Sequence, residues 1–270
     1  MNILIAGLGL IGGSLAKSLI LNNNIAGFDR ENVLNYALQN KIINEKAIQF
    51  NKYDFVIVAL PPKETIKFID KNEFKDNSII IDICGIKNAI EKAIDFKSKN
   101  FNYVGCHPMA GKEVSGIENC SENLFKGASL IITENSYTDK NSVDIVESLM
   151  QQAGFSKIVK CSSLYHDSII AYTSQLAHLV SNAYVKSDTV KRYEGFTGGS
   201  FQDMTRIAEL NEDIWTELFF LNKENLLKEL SGLINSLKIF EDSLIENDES
   251  KMKEALKIGR IIKQNLKINN

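Results

Sequence analysis

Residues 2–14 read NILIAGLGLIGGS, and the fold class follows from them. Asn2 to Ala6 is a short apolar run of the kind that forms a strand buried on both faces. It enters glycines at positions 7, 9 and 12, spaced G-x-G-x-x-G. Gly7 permits a tight turn, Gly9 lets the backbone approach a bulky anion, and Gly12 lets the next helix pack close to the strand. Leu15, Ala16, Leu19 and Ile20 mark the inward face of that helix, whose free N–H groups and positive dipole end point at the loop. A second strand, Ile25 to Phe28, ends on Asp29, 22 residues after Gly7. A carboxylate there accepts hydrogen bonds from an adenosine ribose. Together these features predict a dinucleotide site at Gly7, Leu8, Gly9, Leu10, Ile11, Gly12, Asp29 and Arg30.

Asp29 repels a 2′-phosphate, which favours NAD. Arg30 beside it can pair with that phosphate, so NADP stays open. The alternation continues with Tyr53–Leu60, closed by Pro61-Pro62, and with Ser78–Cys84, followed by Gly85 and a helix over 88–97. A strand over 102–106, another over 129–132 and a helix over 140–153 complete the layer. Alternating strands and helices predict an α/β Rossmann-type domain, a mostly parallel doubly wound sheet over residues 1–161. Ligands of such sheets sit at the carboxyl ends of the strands. Leu60, Pro61, Cys84 and Gly85 occupy such ends and join the predicted cofactor contacts.

The same rule picks out Gly105–Gly116, GCHPMAGKEVSG. It places His107, one of three histidines, where a strand is predicted to end on a turn stiffened by Pro108. A histidine facing the cofactor crevice is suited to acid–base work near neutral pH. Beyond residue 164 no strand is predicted. Apolar stripes at helical spacing run through Ile169–Ala183, Ile207–Leu221 and Leu226–Leu244, the last close to a heptad seam. These predict an all-α domain over 162–270 whose long seam pairs with a second subunit. Between the stripes lies GFTGGSFQDMTR, residues 195–206. Arg206 is read here as lying in the first turn of a following helix, where the dipole disfavours a cation, and so as held there to grip a carboxylate.

Composition limits the function classes. A net charge of −3 and a pI near 5.8 give no electrostatic reason to expect nucleic acid or an anionic membrane. Cys84, Cys106, Cys120 and Cys161 lack C-x-x-C spacing, so neither a metal site nor a disulfide framework is expected. They read as reduced thiols of a cytoplasmic protein. The N-terminus lacks a signal peptide's basic start, and the helical region leaves little room for an appended module.

These motifs resemble the prephenate and arogenate dehydrogenases, the oxidoreductases of tyrosine biosynthesis. The resemblance rests on GLGLIGGS at 7–14, Asp82 to Lys87, HPMAGKEVSG at 107–116, His166-Asp167 with His178, GGSFQDMTRIA at 198–208, and Trp215. It implies NAD-dependent oxidative decarboxylation of prephenate to 4-hydroxyphenylpyruvate, or of arogenate to tyrosine, by a homodimer joined through its helical domain. It implies His107 as the catalytic histidine, bonded to the substrate's ring hydroxyl, and Arg206 as the carboxylate clamp. Glu113, His178, Gly199 and Trp215 fall at pocket-lining positions. Where many relatives carry a serine that assists the histidine, this chain has Gly85. His166 and His178 are about 18 Å apart along one helix. His166 is therefore read as mainly structural, ordering its helix start. Two rivals are a β-hydroxyacid dehydrogenase, whose G-x-x-x-N-K motif is missing here, and a non-enzymatic NAD-binding regulator. The regulator has no need to keep His107, Glu113 and Arg206 together.

Overall fold

The computed structural model of the chain describes residues 1–266. The last four positions of the predicted helical domain lie outside the described residues. The elements, in order, are β1 (Asn2–Ala6), α1 (Leu10–Leu19), β2 (Asn24–Phe28), α2 (Glu31–Gln39), β3 (Glu45–Lys46), β4 (Phe55–Val58), α3 (Pro62–Lys71), β5 (Ile79–Asp82), α4 (Asn88–Ala93), β6 (Asn102–Met109), β7 (Ser129–Thr133), α5 (Lys140–Gln152) and β8 (Lys157–Cys161). Helices follow: α6 (Ser163–Ile170), α7 (Ala177–Tyr184), α8 (Gly199–Thr205), α9 (Glu212–Leu221), α10 (Lys223–Ile245) and α11 (Glu249–Asn265). The described chain forms two compact units. One runs from Met1 to Asn222 and the other begins at Lys223.

One sheet carries all eight strands in the order β3-β2-β1-β4-β5-β6-β7-β8. Pairing is parallel except between β6 and β7. The predicted mostly parallel sheet is therefore present, with β3 and β8 as additions that periodicity missed. β3 is two residues long, too short to carry a pattern, and β8 is a half-exposed edge. The central strands are apolar throughout because both faces are covered: Ile3 to Ala6 and Phe55 to Val58 are fully buried.

The strand over 102–106 does not stop before His107. β6 pairs in parallel with β5 up to Gly105 and then antiparallel with β7 through Met109. The antiparallel partner extends the strand after its parallel one has ended, so Pro108 sits within it. His107 lies beyond the carboxyl end of β5, on ladder rather than turn.

Beneath this point is a buried ion pair. Lys87 and Asp82 are both fully enclosed and bonded to each other. Lys87 Nζ also donates to Cys106 O at 2.5 Å, and Tyr103 Oη donates to Asp82 Oδ2 at 2.5 Å. Such a pair is stable only when its remaining hydrogen-bonding capacity is filled, as here. Lys87→Met leaves Asp82 buried without its cation. The expected loss is about 3–5 kcal/mol of unfolding free energy, read from the urea midpoint; an unchanged midpoint contradicts a structural role for the pair.

Candidate active site

The glycine loop has the geometry its sequence requires. Gly7 has φ +92°, and a Cβ on Gly12 would lie 1.9 Å from Gly7 O, so neither position admits another side chain. A Cβ on Gly9 meets nothing within 4 Å, which leaves the backbone at the mouth of α1 open to a ligand. Asp29 Oδ2 accepts from Leu8 N at 2.7 Å, tying the loop to the end of β2. Leu8, Gly9, Asp29 and Arg30 line a cavity of about 330 Å³, together with Gly116 and Glu118. Open backbone N–H groups at a helix start beside a carboxylate fit the pyrophosphate and ribose of a dinucleotide. Tyr36, on α2, also lines this cavity and was not singled out from the sequence.

Leu60 and Pro61 follow β4 beside the glycine loop; a Cβ on Gly7 would lie 3.0 Å from Leu60 Cδ2. Leu10 is nearly buried and Ile11 partly so. Cys84 departs from the prediction. Its thiol turns inward, 3.3 Å from Thr65 Oγ1 and from Leu60 O, and burial followed by the Asp82 charge pushes its pKa far up. Its side chain is part of the core because this position, just past β5, faces α3.

A larger cavity, about 770 Å³, lies around the end of β6. Gly85, His107, Glu113, His178, Arg206 and Trp215 all line it, from segments as far apart as 130 positions in sequence. The 107–118 run borders both cavities, lining the large one up to Ser115 and the small one from Gly116 to Glu118. A Cβ on Gly85 would stand 3.8 Å from His107 Nε2. The position is adjacent to the histidine's free nitrogen and holds no side chain to touch it.

His107 lines this cavity and is otherwise largely enclosed. Enclosure by protein, then His166 and the Lys87 cation, push its pKa well below the usual 6.5. The ring is thus a neutral acceptor at neutral pH. His178, which also lines the cavity, packs on Trp215, with ring centroids 4.0 Å apart. Its Nδ1 bonds Ser174 O at 2.9 Å, and burial lowers its pKa. Arg206 forms an exposed ion pair with Glu113, whose carboxyl is held low by its own backbone N–H and by Arg206. These two charged residues share the cavity lining with the His178–Trp215 pair.

Three expectations are corrected. Arg206 is the C-cap of α8, not part of a following helix's first turn. A cation is favoured at that end, so its placement needs no functional excuse; its claim rests on lining the cavity. The helix starts earlier because Gly198 is its N-cap, and residues 207–211 separate it from α9. Gly199 heads α8 and does not line the cavity. His166 is not an element that orders a helix start, since Ser162 caps α6 by accepting from Tyr165 N. It is buried, and its Nε2 lies 2.8 Å from His107 Nδ1. Its Nδ1 in turn lies 2.7 Å from Asp167 Oδ1. Spacing along one helix correctly kept His166 away from the cavity but had no way to show what it touched across the domain.

Among the described residues no cluster of ligating side chains could hold a metal ion, and no helix is long and apolar enough to cross a membrane.

The low pKa of His107 bears on stability. An unfolded chain takes up a proton on this residue below about pH 6.5, while the folded one does not. Stability is therefore full above that pH and declines as pH falls toward the lower folded pKa. Between about pH 7.5 and 5.5 the wild-type urea midpoint is expected to drop more than that of His107→Gln; equal drops contradict the buried neutral ring.

Comparison with known proteins follows the same outline. The prephenate dehydrogenase nucleotide-binding domain matches residues 14–159 and the prephenate dehydrogenase dimerization domain matches 162–258. Prephenate dehydrogenase of Bacillus subtilis is 29% identical over 87% of this chain and 68% of its own length. The crystal structure of prephenate dehydrogenase from A. aeolicus, in complex with hydroxyphenyl propionate and NAD+, superposes with a TM-score of 0.84 at 29% identity, covering 98% of this chain and 97% of that one. Synechocystis arogenate dehydrogenase shares the fold, with a TM-score of 0.80 at 24% identity over 98% and 99% of the two chains. With both of its domain models accounting for nearly all of the described residues, around a cavity that gathers the motif residues, the chain belongs to the prephenate dehydrogenase family.

Proposed function

We propose that this protein is an NAD-dependent prephenate dehydrogenase, converting prephenate to 4-hydroxyphenylpyruvate and carbon dioxide in the cytoplasmic synthesis of tyrosine. The observation that carries the reading is one cavity lined by both a neutral His107 and the Arg206 guanidinium, with the glycine-loop cavity bordered by the same 107–118 segment.

Prephenate has a ring hydroxyl and a carboxylate para to one another on a cyclohexadiene. His107 accepts a hydrogen bond from the hydroxyl and draws its proton as the C–O bond gains double-bond character. Bound NAD supplies the acceptor for the hydrogen and electron pair leaving the same ring carbon. Gly7, Gly9, Gly12 and Asp29 hold that cofactor, with Leu8, Leu10, Ile11, Leu60 and Pro61 around it and Arg30 at the rim. Arg206 pairs with a substrate carboxylate, exchanging or sharing its bond to Glu113. His178 and Trp215 form the wall against which the ring is positioned. Loss of the ring carboxylate as carbon dioxide aromatises the ring and drives the reaction, and the proton returns to the phenol oxygen.

The division of labour runs between residues 161 and 162, with the helical part pairing two copies. In α10 the seam residues Leu237 and Leu244 are exposed, as a face awaiting a second copy would be.

His107→Asn is expected to lower kcat by about 10²–10⁴-fold with NAD affinity within about twofold of wild type. Arg206→Ala is expected to raise the KM for prephenate about tenfold or more, with a smaller change in kcat. Both are read from the absorbance of reduced nicotinamide, with prephenate and arogenate each tested against NAD and NADP. Near-normal turnover by the His107 variant removes it as the base, and preference for arogenate reassigns the substrate.

A further inference from the structure

His107 has two ring nitrogens in different surroundings. Nε2 faces the cavity beside Gly85. Nδ1 faces His166 Nε2, and His166 Nδ1 faces the Asp167 carboxylate. Asp167 is itself fixed. Its Oδ1 accepts from Lys87 N at 2.9 Å and its Oδ2 from Asn88 N at 3.0 Å, at the start of α4. Asn222 Nδ2 donates to its backbone carbonyl at 2.8 Å. An oxygen pair already taking two N–H donors can only accept from a third, so the proton between Asp167 and His166 belongs to His166 Nδ1.

The rest follows by elimination along the line. A neutral His166 with its proton on Nδ1 has a bare Nε2, which can only accept. His107 Nδ1 must then carry a proton and donate it. A neutral His107 with Nδ1–H has a bare Nε2, and that nitrogen looks into the cavity. We infer that Asp167 and His166 are positioning residues that set the proton configuration of His107, leaving Nε2 as the base, and that His166 receives the Nδ1 proton when Nε2 takes one. The inference rests on the assignment of His107 as the base.

In the transfer the substrate O–H bond breaks as His107 Nε2–H forms. His107 Nδ1–H breaks as His166 Nε2–H forms. The positive charge then sits on His166 beside the Asp167 carboxylate, which stays ionised, and the reverse movement returns the proton to the phenol oxygen. Charge beside a buried carboxylate costs less than charge on His107, which has the Lys87 cation nearby. The other ionisable groups around the pair are Asp82, bonded to Lys87; Glu91, bonded to Ser163 Oγ at 2.7 Å; and the thiols of Cys106 and Cys161. His178, Glu113 and Arg206 line the same cavity as His107. None of these others bonds the two rings, so the line from Asp167 to Nε2 has one path. It also supplies what Gly85 cannot, an orienting partner for the base.

The chain has three histidines, so a ¹⁵N-histidine spectrum of the full-length protein with NAD holds six ring-nitrogen signals, assignable by loss in His107→Asn and His178→Asn. The expected result above neutral pH is His107 and His166 both protonated on Nδ1 and bare on Nε2. A His107 ring protonated on Nε2 overturns the inference whether or not the enzyme is active. The kinetic arm uses His166→Gln, whose carbonyl still accepts from Nδ1–H but cannot take the proton, and His166→Leu, which does neither. His166→Leu is expected to lose about 100-fold in kcat, and His166→Gln about tenfold with the acid limb of the kcat profile moved to lower pH. Equal losses with an unmoved limb, or activity within about twofold of wild type, overturn the relay. Full activity of His107→Asn instead refutes the base assignment beneath it.

Discussion

The buried Lys87 side chain is the constraint on which both the sheet and the site depend. Its ammonium bonds Asp82 at the end of β5 and the Cys106 carbonyl on β6, and its backbone N–H bonds Asp167 on α6. One residue thus joins two strands and the first helix of the following segment. Removing a charge of this kind from water is costly, and only a full set of partners offsets the cost. Every partner lies on an element that borders the site. The carbonyl it grips belongs to the residue before His107, so the ion pair holds the backbone from which the histidine projects. Its positive charge adds to burial in disfavouring protonation of that ring.

The helical segment reaches the sheet through polar contacts. Asp167 caps the start of α4, and Asn222 bridges the Asp167 carbonyl and Gln175 Oε1, at 2.8 Å each. Glu217 on α9 accepts from Lys63 N at the start of α3. Helix N-termini of the nucleotide layer therefore receive carboxylates from the helical layer, each satisfying N–H groups that the helix itself leaves open. Between α6 and α7 the backbone widens into a π-helical turn over Ala171–Leu176. Ile170, Ser174 and His178 line the cavity from this stretch, so the irregular turn lies at the site, as such turns often do.

Where the reading from sequence failed, the cause was in most cases a partner distant in the chain. The strand into His107 was expected to end at residue 106, because Pro108 argues against ladder pairing. It continues because β7 pairs with it from the opposite direction. Arg206 was assigned to the start of one helix when it closes another, since glycines 198 and 199 read equally as a turn or as a cap. Cys84 was counted at a strand end facing the cofactor, but a strand end has an inner side too, and Thr65 occupies it. His166 was measured along its own helix, a coordinate that says nothing of what a helix packs against.

By itself the sequence determined the alternation of strands and helices, the glycine loop with its Asp29 and the helical second half. These are properties of local pattern: steric demands at Gly7 and Gly12, apolar runs where both faces of a strand are covered, and 3.6-residue periodicity thereafter. Glu113, His178 and Trp215 joined His107 and Arg206 only through the resemblance to a known family. Only the tertiary structure decided which nitrogen of His107 is free. That depends on a hydrogen-bonded line through His166 and Asp167 to the N-terminus of α4, which joins residues 59 and 80 positions apart. Hydrogen-bond direction is set by what each donor meets across space, and one-dimensional spacing carries no record of it.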